Sequence, residues 1–308
     1  MKNARNKELG SILREATKFQ KAQLLSQGGE GKFFVHANPA IYAEGLEDEH
    51  FRLAMKSRLF MDVLTMRSSE LLCPIEKSQE LREIRADGLH AFYCGREGTG
   101  NLKGMRASRH FKVCLLLTKI IKQTAKSGFK KSSVVRETVV EESTDWRRRG
   151  GSSNNTSHRS DIRVTTAGVD THFDLVITTP QPCGVAHPLC TSCPGDAAKR
   201  AFNEKIAFYR RFYDFPDRRL VPIAIEIHGR WHQDSRKALK TMLRLELSDE
   251  DKVDYKTLSF QMSHLLKATA VELAKERALA ILKLEKNIRE FPHERRDVPI
   301  QNHQNDEE

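Results

Sequence analysis

The chain has 308 residues, room for one large domain or two modest ones, and is 39% hydrophobic and 30% charged. Its 52 Lys+Arg against 41 Asp+Glu leave a formal charge of +11, a surplus that suits a polyanionic partner because the summed field and counterion release both favour one. The apolar content excludes a wholly disordered chain, although a mean hydropathy of -0.56 leaves long polar stretches. No apolar run approaches the ~20 residues of a membrane-spanning helix: the longest, Val113 to Ile121, is broken by Lys119 and followed by Lys122. Met1 to Lys21 is charged throughout and does not read as a secretory leader. The six cysteines therefore read as reduced thiols or metal ligands of an intracellular protein, nuclear or cytoplasmic.

Residues 1–46 read as a charged segment, helical and then flexible around Gly28, Gly29 and Gly31. Phe51, Met55, Leu59 and Met61 predict an amphipathic helix within 47–72. Residues 73–107 are Gly-rich and irregular, with Cys73, His90 and Cys94. A helix is predicted from Ser108 to about Ala125, capped by Ser108, with Phe111, Val113, Cys114, Leu117, Ile120 and Ile121 as its apolar stripe. Ser133 to Val140 is strand-like, and Ser143 to His158 is a polar loop whose Arg147, Arg148 and Arg149 suit phosphate contact or a solvated charge run. Strands at Asp161 to Thr166 and His172 to Thr179 form a hairpin through the turn Ala167 to Asp170. A Pro/Cys-rich insertion leads to Asp196, the predicted cap of a helix over Ala197 to Phe212; Leu220 to Ile227 then reads as a buried strand. The order is helix, three strands, helix, strand. A helix at Ser235 to Leu245 closes the core at 108–245; residues 246–291 form a helical tail over Leu258 to Ile288, and 292–308 read as disordered.

Asp161 and Asp174 each interrupt an apolar or β-branched run, which is costly unless water, a cation or a partner meets the charge. Two such carboxylates suit Mg²⁺, a hard ion that keeps further positions for water and phosphate when it assists phosphodiester cleavage. Lys205, or after it Lys199, is the candidate ammonium to orient the attacking water. The competing reading has Asp161 capping a strand end and Asp174 pairing with a surface Arg. Cys183, His187, Cys190 and Cys193 form a second cluster, either a zinc-stabilised loop or incidental thiols. His228 and His232 are set aside as a metal pair because Gly229 breaks the helical geometry they would need.

The ordered set Ala86–Cys94, Arg109-His110, Arg159-Ser160-Asp161, Phe173-Asp174, Ala197–Arg200 through Lys205–Tyr209, and Val221–Trp231 resembles the C-terminal region of non-LTR retrotransposon polyproteins. That region joins a Cys/His knuckle to a restriction-like endonuclease of the PD-(D/E)XK class. The resemblance spans roughly 50–285 and implies an α/β, restriction-endonuclease-like core (helix, three strands, helix, strand) with helical N- and C-terminal flanks. It implies Asp161 and Asp174 as the ligands of Mg²⁺ or Mn²⁺, Lys205 as the lysine displaced from strand to helix, and Glu226 as an additional acid. Arg109 and His110 would lie near the DNA backbone. Glu226 has an alternative role, receiving Arg230 or a helix N-terminus. Ser160 stands where the family usually has proline. The knuckle lacks its second cysteine, so Zn²⁺ at Cys73, His90 and Cys94 would need Glu76 or His110 to complete a tetrahedron; otherwise His90 and Cys94 pack beneath the turns.

The expectation is a metal-dependent endonuclease that nicks DNA, with element RNA a further candidate partner and no membrane role. Its length reads as the nuclease end of a larger polyprotein or a stand-alone relative. The alternatives are a catalytically inactive nucleic-acid-binding remnant of the same fold, and an interaction protein assembled through Leu258 to Ile288.

Overall fold

Alternation of apolar and polar residues at 160–166 and 169–177 gives a hairpin with two unlike faces, and the rest of the chain packs on both. The computed structural model describes residues 10–32, 35, 47–59, 61–64, 103–127, 132–139, 159–166, 168–180, 188–212, 220–246, 248–249, 252–253 and 255–290. Within these, β1 (Ser132–Val139), β2 (Arg159–Thr166), β3 (Val169–Thr178) and β4 (Leu220–Glu226) form one sheet in the order β1-β2-β3-β4. The first three run antiparallel, and β4 lies parallel to β3. The chain is therefore mixed α/β, and it follows the predicted order of helix, three strands, helix, strand.

The β2-β3 turn is tighter than the sequence reading has it. Thr166 pairs with Val169, and Gly168 adopts φ 77 in the two-residue turn, a conformation that suits a residue without Cβ. Thr165 Oγ1 donates to Asp170 Oδ1 at 2.6 Å, which carries pairing into residues expected to be turn.

One sheet face presents Ile162, Val164, Phe173, Leu175, Ile223 and Ile225 to a single apolar cluster. Into it pack Val113, Leu117, Ile120 and Ile121 of α3 (Lys103–Ser127), Leu239, Met242 and Leu243 of α5 (Gln233–Glu246), and Leu258, Leu265 and Leu266 of α6 (Tyr255–Glu290). The predicted helical tail is thus part of the core. Helix α3 begins at Lys103, so its first turns precede the predicted Ser108 cap. The opposite face takes α4 (Asp196–Phe212), where Ala198, Ala201 and Ala224 allow close approach beside Val176 and Phe202. Of the residues around the acidic stretch, β5 (Ser248–Asp249) and β6 (Lys252–Val253) pair antiparallel.

Pro222 sits in edge strand β4, where a missing N–H is tolerated. That edge is covered: Ser235 Oγ donates to Pro222 O at 2.8 Å and accepts from Ala224 N, and His232 N donates to Ala224 O.

The N-terminal segment carries the expected helix, and Gly29–Lys32, read from the sequence as flexible, form a short 3-10 turn. Helix α1 (Lys18–Gln27) starts on a capping box between Thr17 and Gln20. Gln23 Nε2 joins it to Ser57 O of α2 (Asp48–Arg58) at 3.1 Å. The following Glu30 accepts from Trp231 N at 3.5 Å and pairs with Arg236. Among the described residues no helix is long and apolar enough to cross a membrane.

Two leucines of α3 test this packing. Leu117 is fully buried, while Leu115 is 48% exposed. Leu117→Ala is expected to lower unfolding free energy by about 2–5 kcal/mol, and Leu115→Ala to change it by no more than about 0.5 kcal/mol, read by denaturant titration.

Candidate functional site

The hairpin register brings the two aspartates together. Ile162 pairs with Phe173, so Asp161 and Asp174 come one step further along on each strand, on the opposite face from the apolar cluster because side chains alternate. There the Leu175 amide donates to Asp161 Oδ2 at 2.6 Å, and the two carboxyl groups lie within hydrogen-bonding reach of each other.

Two helices deliver cations to this pair. From α4, Lys205 Nζ donates to Asp174 Oδ2 at 2.7 Å, and its ammonium stands 5.9 Å from the ring of Tyr209 one turn on. From α3, His110 Nε2 lies 3.2 Å from Asp161 Oδ2 and 3.0 Å from Leu175 O. Arg109, His110, Asp161, Asp174, Lys205, Arg200 and Glu204 all line one open cleft of about 850 Å³.

The carboxylates differ in character. Burial by itself would raise Asp161, but the hydrogen bond and charge of His110, with the Leu175 amide and Asp174, hold it below the ordinary aspartate range. Burial pushes Asp174 up to about 6; Lys205 opposes the rise and the Asp161 charge adds to it. His110 is raised to about 11, first by its hydrogen bond to Asp161 and then by Cys114, against burial. At neutral pH the site is therefore an ionised Asp161 beside an imidazolium and an Asp174 that titrates just below neutrality.

The remaining expected residues have separate fates. Glu226 does not join the cleft. Its buried carboxyl lies under the start of α4, accepting from Ala198 N at 3.4 Å, with Ser26 and Arg230 nearby, so the alternative role at a helix N-terminus is the one it fills. Asp196, which begins that helix, binds Arg200 at 2.9 Å and accepts from Cys190 Sγ at 3.6 Å. Lys199 is exposed on α4, and it is Lys205 that reaches the aspartates. Cys190 is buried and Cys193 exposed, while Cys183 and His187 lie outside the described residues. Cys73, His90, Cys94 and Arg147, Arg148 and Arg149 also lie outside them. His228 accepts from Arg277 in the interior, and the rings of His232 and Phe202 lie 4.2 Å apart, tilted by 33°. Sequence reasoning missed Cys114, which stands 3.9 Å from His110 Nδ1; the i, i+4 spacing on a predicted helix was its available signal.

What the fold and cleft define is a mixed α/β protein with a carboxylate pair compensated by a lysine and a histidine. No protein-family model, curated protein or solved structure matches the chain.

Two measurements probe these assignments. Asp174 has its folded pKa near 6, above its ordinary 3.8, so it contributes stability that is complete below about pH 4 and is lost as pH rises through 6. The melting temperature of the metal-free protein is expected to carry a downward component across that window, absent in Asp174→Asn. Glu226→Ala, which leaves the Ala198 amide and its neighbours without an acceptor, is expected to cost about 1–3 kcal/mol in a denaturant titration.

Proposed function

We propose that the chain is a metal-dependent DNA endonuclease of the restriction-like type, related to the nuclease region of non-LTR retrotransposon polyproteins. The observation that carries this reading is the meeting of Asp161, Asp174 and Lys205 in one cleft, from three separate elements. The donor chemistry suits Mg²⁺ or Mn²⁺: hard carboxylate oxygens side by side, open to solvent on one side. Asp161 and Asp174 would hold the ion, which when bound would lower the pKa of a water and neutralise phosphate charge.

The chain's own residues supply the rest. Lys205, fixed against Asp174 and half-exposed, is set to orient a water and to balance negative charge developing on a phosphodiester. His110, part-exposed, brings positive charge to the wall of the same cleft, where a DNA strand would pass, while Arg109, expected at the DNA backbone, is buried behind it. The +11 formal charge favours that encounter. A second reading is a nucleic-acid-binding protein without catalysis, and the His110–Asp161 ion pair favours it, because a carboxylate that an ion would need is already compensated.

Nicking of supercoiled plasmid in Mg²⁺ or Mn²⁺ separates the two. Cutting is expected for the wild type and should vanish in Asp161→Ala and Asp174→Ala; Lys205→Ala is expected to slow it by about 10²–10³-fold. Equal cutting by wild type and Asp174→Ala would reject the site. No cutting by the wild type, with DNA binding that weakens as salt rises, would establish the second reading.

A further inference from the structure

Asp161 belongs to two constellations. On one side it adjoins Asp174; on the other it faces His110 and Cys114, which stand four residues apart on α3 and so project from one helix face. One ligand atom from each of His110, Cys114 and Asp161 can be chosen so that all three lie within 4.8 Å of one another. Among the described residues no other trio of His, Cys, Asp or Glu is grouped in this way.

The spacing suits a small ion. Zinc with nitrogen at roughly 2.0–2.1 Å and sulfur at about 2.3 Å, in a tetrahedron, separates those two ligands by ~3.5 Å. His110 Nδ1 and Cys114 Sγ stand 3.9 Å apart, so a shift of a few tenths of an ångström closes them on a metal. A second cavity, of about 290 Å³, opens at this point and is lined by Phe111, Arg136 and Ala107 with the three ligands. It leaves space for water or an anion as the fourth ligand, and the nearby Arg136 guanidinium favours an anion there.

The donor types differ from those of the neighbouring aspartate pair. A thiolate and an imidazole are softer than carboxylate oxygens and select zinc-like ions over Mg²⁺. The thiol and the ligating nitrogen of the His110 imidazolium each lose a proton to solvent when the metal binds. Asp161 then serves as the third ligand, one of its oxygens lying with the imidazole and thiol ligand atoms in a group no wider than 4.8 Å.

We propose that His110, Cys114 and Asp161 form a site for one thiophilic divalent cation of the zinc class, and that filling it withdraws Asp161 from the Asp161/Asp174 pair. The binding stands on its own geometry; the competition rests on the nuclease reading above. Zinc would thus oppose Mg²⁺-supported cutting at a shared carboxylate.

Cobalt reports the site directly, through the thiolate-to-metal charge-transfer absorption of Co²⁺ titrated into the full chain. Other cysteines add to that band, so the quantity read is the difference between wild type and Cys114→Ser. Wild type is expected to take up one equivalent more, displaced by added Zn²⁺, and Cys114→Ser to bind there at least about 10–100-fold more weakly. If Cys114→Ser shows no cooperative thermal transition, His110→Gln replaces it with the same expected loss. Equal cobalt bands in wild type and variant overturn the site, whatever the nicking assay gives. A difference in cobalt uptake without nicking in any metal leaves the site standing and removes the nuclease reading. Where nicking is present, Zn²⁺ added to Mg²⁺ should suppress it in the wild type much more than in Cys114→Ser, each measured against its own rate in Mg²⁺ alone; equal suppression overturns the competition.

Discussion

Two carboxylates held against each other at the end of a β-ladder must be compensated, and the two flanking helices supply the compensating charges. Like charges at this separation in a part-buried cleft cannot both ionise freely. The protein meets the constraint asymmetrically: Asp161 receives an imidazolium and a backbone amide, whereas Asp174 receives one ammonium and keeps a pKa near 6. The result is one firmly ionised group and one poised near neutrality, in a cleft open to solvent.

That arrangement requires α3 and α4 to arrive from different sides of the sheet. Helix α3 is held by the large apolar cluster beneath β2 and β3, which brings part-exposed His110 and buried Arg109 to the lining of the cleft. Helix α4 lies on the opposite face through alanines, so the backbone comes close enough for the long Lys205 side chain to reach Asp174. The start of α4 is pinned by Glu226 from below and by α1, whose Ala22 packs with Cys190 and Ala197. The N-terminal helix therefore supports the site at second hand, through the helix that carries its lysine.

The same economy explains the shared role of Asp161. A residue that must satisfy a histidine and a neighbouring carboxyl at once is also the point at which two metal chemistries would meet. A cation drawn by the thiol and imidazole of α3 and one drawn by the paired carboxylates would compete for a single side chain, and so would couple the two walls of the cleft.

Much of the architecture was legible because it is local. Val113, Leu117, Ile120 and Ile121 declare a helix by their spacing, Ile162 and Val164 declare a strand by alternation, and Asp161, Asp174 and Lys205 stand out as charges within apolar runs. Their convergence was expected from their chemistry and from the family resemblance, but the register that produces it was not legible in the spacing. With the turn read as four residues at 167–170, Asp161 would not stand opposite Asp174; the two-residue turn at Gly168 places them equally far from it, and the register follows. Glu226 misled because a carboxylate at a strand end looks the same in sequence whether it faces a cleft or a helix N-terminus. Cys114 escaped notice because an apolar helix stripe absorbs a cysteine without remark, and only the approach of β2 adds Asp161 to the His110 that stands one helical turn before it. Composition and periodicity by themselves determined a basic α/β chain, its element order and the identity of its costly charges. Tertiary structure alone decided which of those charges share a site, because side-chain convergence depends on strand register and helix approach, and these are set by contacts between residues far apart in the chain.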